Sequence, residues 1–444
     1  MTSQLSSTQN TDASNSAAPR PISGAAQLST QSGSQSGSHA GSQGDITLHW
    51  FLPTQGDARS IVGGGHGSGR PGGNREATLD YLTQVARAAE YNGFESVLTP
   101  TGQWCSDAWL TTAALIQATQ RLKFLVAFRP GLVSPTLIAQ QAQTFQLLSD
   151  SRLNLNVVIG GEDTEQRAYG DHLNKKERYH RADEALEIYA KLIAGESDVS
   201  LDGTYNKVEN AALYSAPDTT PHVFFGGSSP EGIEVGAKHS DVYLTWGEPP
   251  HKVEEKLDRV RAAATAHGRE LEYGIRLHVI ARPTEEKAWE EAQRLLDAID
   301  PAEVQRVQAA LAKSQSEGQR RMTELHGQGS AFRAGADARS LEISPNLWAG
   351  VGLVRGGAGT ALVGSYEQVA ERIAEYRTIG LNHFILSGYP HLEEAFSVGE
   401  GVVPALQHLG LSVANHPDPQ PASESADESA REYTQESASE SASS

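Results

Sequence analysis

The sequence predicts an α/β fold, a (β/α)8 barrel with insertions, set between two low-complexity tails. Three observations carry this expectation. From residue 46 onward, short apolar runs of β type alternate with helical periodicity, as βα units around a parallel sheet do. Eight such runs can be counted, the number that closes a barrel, although a doubly wound open sheet shares the alternation. Roughly 370 residues lie between the tails, long for an ordinary domain and normal for a barrel carrying insertions.

The elements follow in order. Residues 1–44 are mostly Ser, Gln, Gly, Thr and Ala, and residues 413–444 end in repeats of Glu, Ser and Ala. Neither stretch can bury enough apolar surface to offset its ordering entropy. Both are therefore expected to be disordered, with the barrel spanning 45–412. Strands are expected at 46–51, 96–99, 123–128, 153–159, 222–225, 242–244, 273–280 and 383–386, each a short β-type run. Helical spacing predicts helices over 77–91, 107–119, 135–149, 178–194, 230–239, 249–267 and 366–379. Residues 199–208, with Asp202-Gly203 at their centre, read as a β-hairpin after the fourth helix. Residues 284–345 fall outside the βα count. They hold a helical stretch over 289–299, a polar helical stretch, and a loop over 327–339 rich in Gly and Ala. Such an insertion between the seventh and eighth strands overhangs the C-terminal rim of a barrel, and its composition suits a mobile lid over bound substrate.

Chemistry is expected on that rim. In the run Tyr273-Gly-Ile-Arg276-Leu-His278-Val-Ile280, Arg276 and His278 fall on the same strand face, because successive side chains alternate. A guanidinium there needs a buried anionic partner or a water-filled cavity. Arg355 sits in a second apolar context, Gly352-Leu-Val-Arg355-Gly-Gly-Ala-Gly359. Two arginines so placed suggest a pocket for an oxyanion, with a structural ion pair to a barrel carboxylate as the alternative for Arg276. In Gly226-Gly227-Ser228-Ser229-Pro230, Ser229 suits a helix N-cap and Pro230 the first helical position, so the free N–H groups there could hold a phosphate. A plain strand-to-helix turn fits the same residues. His278 by itself reads equally as a satisfied core histidine, Cys105 as a small buried hydrophobe, and Tyr389 beside Pro390 as a packing residue.

Composition limits the partners. The formal net charge is −19 and no basic stripe is visible, which argues against nucleic acid. The single cysteine, Cys105, excludes an intramolecular disulfide and any Cys-based metal site, and no paired His ligand spacing appears, so no metal is expected. Neither a secretory leader pattern nor an apolar run of membrane-spanning length is seen, so a soluble cytoplasmic protein with no membrane partner is expected.

Several stretches together resemble the alkanesulfonate monooxygenases, two-component reduced-flavin enzymes of the bacterial luciferase-like superfamily. They are Trp50-Phe-Leu-Pro-Thr54, Thr101-Gly-Gln-Trp-Cys105, Phe225-Gly-Gly-Ser-Ser229, Tyr243-Leu-Thr-Trp246-Gly-Glu-Pro-Pro250, Gly274-Ile-Arg276-Leu-His278-Val-Ile280, the run from Ser344 through Arg355 to Gly364, and Leu386-Ser-Gly-Tyr389-Pro-His-Leu-Glu-Glu-Ala395. The likeness spans about 46–410 and so covers nearly all of the foldable chain. It implies a TIM-barrel variant that binds FMN as FMNH2, supplied by a separate NAD(P)H-dependent FMN reductase. It implies use of O2 to cleave an alkanesulfonate C–S bond to an aldehyde and sulfite, and it implies a homotetramer. Carried over residue by residue, it makes Arg276, His278, Arg355 and Tyr389 active-site residues and Cys105 a cysteine near the flavin. It makes Gly227, Ser228 and Ser229 the flavin phosphate loop, places Tyr179 near that phosphate, and counts Trp246 among the cofactor-binding residues. Gln55 stands where the family commonly has histidine, 63–73 is unusually Gly-rich, and the fourth strand ends Val-Ile-Gly-Gly; these departures bear on substrate range. The rivals are a related flavin monooxygenase acting on a sulfone or an alkane, and a non-catalytic barrel binding flavin or coenzyme F420.

Overall fold

The computed structural model describes residues 46–63, 73–325, 327 and 332–416. The expected N-terminal tail and residues 417–444 of the C-terminal one fall outside the described residues, as do 64–72 of the Gly-rich loop and 326 and 328–331 of the insertion. One boundary moves. Val413 bridges Ile46, and the Ala414 N–H donates to the Ile46 carbonyl at 2.8 Å, so 413–416 belong with the folded part.

The strands are β1 (Thr47–Phe51), β2 (Ser96–Thr99), β3 (Lys123–Phe128), β4 (Leu153–Val157), β5 (Val199–Asp202), β6 (Lys207–Ala211), β7 (Val223–Phe225), β8 (Val242–Trp246), β9 (Glu272–Arg282), β10 (Glu342–Ser344), β11 (Leu347–Trp348), β12 (Ala361–Ser365) and β13 (His383–Ser387). Eight of them form a closed parallel ring in the order β1, β2, β3, β4, β7, β8, β9, β13 and back to β1. The eight runs counted in the sequence therefore close into the expected (β/α)8 barrel. β5 and β6 pair antiparallel as the expected hairpin.

Alternation explains how each strand serves two cores. Phe51, Leu98, Leu125, Phe224, Val242 and Ile385 point inward and fill the barrel. Their neighbours Trp50, Val97, Phe124, Val126 and Leu386 point outward, against the surrounding helices. The helices begin where capping chemistry allows. Thr78, Asp107, Ser134, Asn174, Ser229 and Ser365 each accept an N–H of the first turn through a side-chain oxygen. No helix among the described residues is long and apolar enough to cross a membrane.

Three expectations need correction. β4 stops at Val157 rather than 159, because Gly160 takes a positive φ of 81° and turns the chain away. The expected helix over 107–119 ends at Leu115 and continues only as a 3-10 turn, Ile116–Ala118. Residues 361–365, where no strand was expected, form β12. β9 is 11 residues long and outruns the barrel; its distal part, His278 to Arg282, pairs in parallel with β12, and β11 and β10 extend that edge antiparallel. The insertion contributes helices Glu285–Asp297, Pro301–Leu311 and Glu317–Leu325. A separate apolar cluster including Ile280, Trp289, Leu296, Val304, Trp348, Leu353 and Tyr389 packs part of this insertion against the protruding strands.

Candidate active site

A cavity of about 310 Å³ opens at the C-terminal ends of the strands. Its first wall comes from β9, the neighbouring end of β13 and the loop before β12. Parallel register sets Arg276 beside Trp246 of β8 and Ile385 of β13, and sets His278 beside Ser387. Arg276 and His278 share one face, as alternation requires, and both line the cavity with Arg355.

Arg276 is 8 % exposed, and its recorded partners are uncharged. It donates to the Leu277 carbonyl at 2.5 Å and to Ser387 Oγ at 2.8 Å, and it lies 4.8 Å over the Phe51 ring. No carboxylate pairs with it among the described residues, so the structural ion pair is ruled out. Burial pushes the guanidinium down to about 9, and the Arg355 charge adds to that. A guanidinium holds its proton, so this depression measures the cost of an unneutralised charge in a dry wall, a cost that an anion would relieve.

Arg355 donates to the Tyr389 hydroxyl and lies 5.5 Å over that ring. Burial raises the Tyr389 phenol above its ordinary value, while Arg355 and Arg276 pull it back. His278 is engaged at both nitrogens, with Nε2 3.0 Å from the Ala358 carbonyl and Nδ1 2.7 Å from Ser387 Oγ. A carbonyl only accepts, so the proton is assigned to Nε2, and Nδ1 accepts from Ser387. Burial and the two arginines hold the ring well below its usual value and neutral. Through these bonds His278 holds Ser387, and through it Arg276.

The second wall is the turn after β7. Gly227, Ser228, Tyr179 and Lys175 line the cavity beneath the N-terminus of helix Pro230–His239. A Cβ on Gly227 would sit 3.0 Å from the Gly232 Cα and 3.2 Å from the Tyr179 hydroxyl, so a larger residue would press its neighbours apart by a few tenths of an ångström. Free N–H groups, a helix dipole and Lys175 make a ready anion site.

The third wall joins the ends of β2, β3 and β4 through Thr101, Trp104, Arg129 and Glu165. The roof comes from the insertion, where Ser314, Ser316, Glu317, Gly318 and Gln319 line the cavity. Gly318 lies against Trp246, where a Cβ would come within 2.9 Å of the indole. The roof is tied down at several points. The Gln315 N–H donates to the Gly161 carbonyl at 3.1 Å, and the Gly357 N–H to Gln319 Oε1 at 2.9 Å. Arg321 grips Glu248 with Nε and Nη2, each at 2.6 Å.

Lys256 reaches the same Glu248 at 3.1 Å, and burial pushes its amine down to about 8 although Glu248 draws it back. Between pH 8 and the ordinary lysine value of 10.5 the unfolded chain carries a proton that the folded chain has released. Stability must therefore rise with pH across that window. Thermal unfolding of the wild type is expected to shift upward from pH 8 to 10 relative to Lys256→Met; parallel curves would contradict the assignment.

Three expected site residues stand behind the walls. Tyr389 touches Arg355 and stacks at 5.4 Å on His278 without lining the cavity. Ser229 caps its helix, accepting from the Gly232 N–H at 3.2 Å. Cys105 faces the carbonyls of Pro100 and Gly102, and burial pushes its thiol up to about 11, so it is no thiolate at neutral pH. Cys105→Ser is expected to change kcat/KM by less than about threefold; loss of activity would place the sulfur in the chemistry.

Sequence reasoning missed others. Arg129 and Lys175 line the cavity, and Asp57 with His391 braces it from behind. Asp57 accepts from the His391 main chain at 2.8 Å and from Nδ1 at 2.9 Å. Burial works against the Asp57 charge, yet His391 and Tyr81 hold the carboxyl below its ordinary value. Arg129 had a visible signal, a lone arginine directly after an apolar strand, the same pattern that marked Arg276.

Comparison with known proteins agrees with this geometry. Among solved structures, riboflavin lyase RcaE with modified FMN and riboflavin is similar at 21% identity, with 84% of this chain and 94% of that chain covered and a TM-score of 0.67. DmoA from Hyphomicrobium sulfonivorans matches at 19% identity, 85% and 90% coverage and a TM-score of 0.66. The long-chain alkane monooxygenase LadA matches at 21%, 83% and 92% with a TM-score of 0.63. At these identities they show a shared fold. The family model for luciferase-like monooxygenases matches residues 46–383. With most of its length matched and its rim residues gathered at one cavity, the chain belongs to the luciferase-like monooxygenase family.

Proposed function

We propose that this protein is an FMNH2-dependent alkanesulfonate monooxygenase: an alkanesulfonate, O2 and FMNH2 give an aldehyde, hydrogensulfite, FMN and water. One observation carries the substrate class. Arg276 and Arg355 are both buried in one cavity wall, and neither has a carboxylate partner among the described residues. A sulfonate stays ionised at biological pH and offers three oxygens, which suits planar guanidinium donors. A neutral alkane leaves both charges buried without an anion, and a sulfone offers oxygens without the charge.

The turn after β7 fits the FMN phosphate, which Lys175, Ser228 and the helix N-terminus would hold. Reduced FMN, when bound, supplies the electrons with which O2 is activated. The chain's own residues do the rest. Arg276 and Arg355 orient the sulfonate and stabilise the charge that grows on departing sulfite. His278 and Ser387 hold Arg276 in place, and Tyr389 orients Arg355. The insertion roof excludes water while the substrate reacts. An NAD(P)H-dependent FMN reductase completes the system.

Sulfite release is the test. Purified protein with FMN, NADPH and a generic flavin reductase is expected to release sulfite from octanesulfonate or methanesulfonate. Turnover of dimethylsulfone or an alkane without sulfite release from any sulfonate would move the protein to the rival substrate classes. Absence of any substrate-dependent oxygen use would favour a flavin- or F420-binding barrel.

A further inference from the structure

The third wall carries hydrogen-bonding capacity that the sulfonate site does not use. Arg129 follows β3, which stands four strands from β9 in either direction around the eight-stranded ring, directly across the mouth from Arg276. It is 6 % exposed and lines the cavity. Its Nη2 donates to Glu165 Oε2 at 2.8 Å, and the Tyr169 ring lies 5.3 Å from the guanidinium. Its Nε and Nη1 are buried with no partner among the described residues. Trp104, also on this wall, has its indole Nε1 buried without a partner among the described residues. Glu165 is recorded in bonds to other groups, with Oε2 taking Arg129 Nη2 and Oε1 accepting the Gln103 N–H at 2.9 Å. Three donor nitrogens thus lie on one wall, beside a carboxylate that is already engaged. Buried donors are almost always satisfied, so the corner calls for an acceptor-rich guest.

We propose that Arg129 and Trp104 position the pyrimidine edge of FMN, with Arg129 favouring the reduced, anionic form. The proposal rests on the flavin reading above. An alkanesulfonate has one polar end, which the opposite wall accommodates, and its alkyl tail accepts nothing. The isoalloxazine edge presents two carbonyl oxygens and N1, and in the reduced anion the negative charge spreads over N1 and the adjacent carbonyl. Glu165 balances part of the Arg129 charge and fixes its orientation, leaving a cation directed to that edge. The close packing of Gly102 supports the arrangement, since a Cβ there would fall 2.4 Å from Trp104 Nε1.

Anaerobic titration of the full-length protein with oxidised FMN and with FMNH2 tests this. Arg129→Met is expected to weaken FMNH2 binding by about tenfold and oxidised FMN much less. That difference lowers the midpoint potential of bound FMN by about 30 mV. Arg129→Lys is expected to restore most of the redox selectivity, and Trp104→Phe to weaken both forms alike. The circular dichroism of each variant confirms its fold. Equal affinities in wild type and Arg129→Met, or equal losses for both redox states, overturn the proposal while leaving the flavin reading intact. Failure of the wild type to bind either form overturns both. A raised KM for ethanedisulfonate in Arg129→Met, with FMNH2 affinity unchanged, would give the corner to a second anionic group of the substrate and overturn the assignment to flavin.

Discussion

Arg276→Met is expected to lower sulfite release at least about a hundredfold, the usual scale for removing a donor aimed at developing charge. The fold is expected to hold or gain stability. Arg276 has no counter-charge among the described residues, and burial already pushes it down to about 9. An apolar side chain of similar length removes that unneutralised charge, and such replacements are neutral or stabilising in many proteins. Ser387 keeps its bond to His278 without the guanidinium. Activity and stability therefore move in opposite directions. Sulfite assays beside thermal melts decide the matter: near-wild-type turnover ends the assignment, and a large fall in melting temperature shows Arg276 to be structural.

Arg321→Met should loosen the roof without collapsing the barrel. Its bidentate bond to Glu248 ties helix Glu317–Leu325 to the rim after β8. Glu248 keeps Lys256 as a partner at 3.1 Å, so the buried carboxylate is not orphaned. Losing a charge-assisted contact of about 2 kcal/mol shifts the closed-to-open balance roughly thirtyfold. A roof that opens admits water, so sulfite formed per FMNH2 oxidised is expected to drop while hydrogen peroxide rises. FMNH2 affinity should change little, since the turn after β7 proposed to hold the phosphate lies on a different wall. Unaltered coupling in this variant would show that the roof is not held by this pair.

Much of this was legible in the chain. Local periodicity located all eight barrel strands, because a strand's alternation is written in its own residues. The Arg276 and His278 pair was legible for the same reason. β12 was not, because a five-residue rim segment becomes a strand only when an over-long β9 offers it a free edge. The placement of Tyr389 and Cys105 behind the wall was also hidden, since depth from a cavity depends on neighbours far apart in sequence. Asp57 and His391 show this most plainly: 334 residues separate them, and their hydrogen bond exists only because β1 and β13 lie side by side.

Order along the chain thus specified the barrel, the arginine-bearing face and the Gly-Gly-Ser-Ser turn, all of which rest on spacing of a few residues. Folding in three dimensions settled that Arg276 has no carboxylate partner among the described residues, that burial and two arginines disfavour a proton on His278, and that Arg129 faces Arg276 across the mouth. Those facts depend on which strands meet when the ring closes, and short-range pattern carries no record of that.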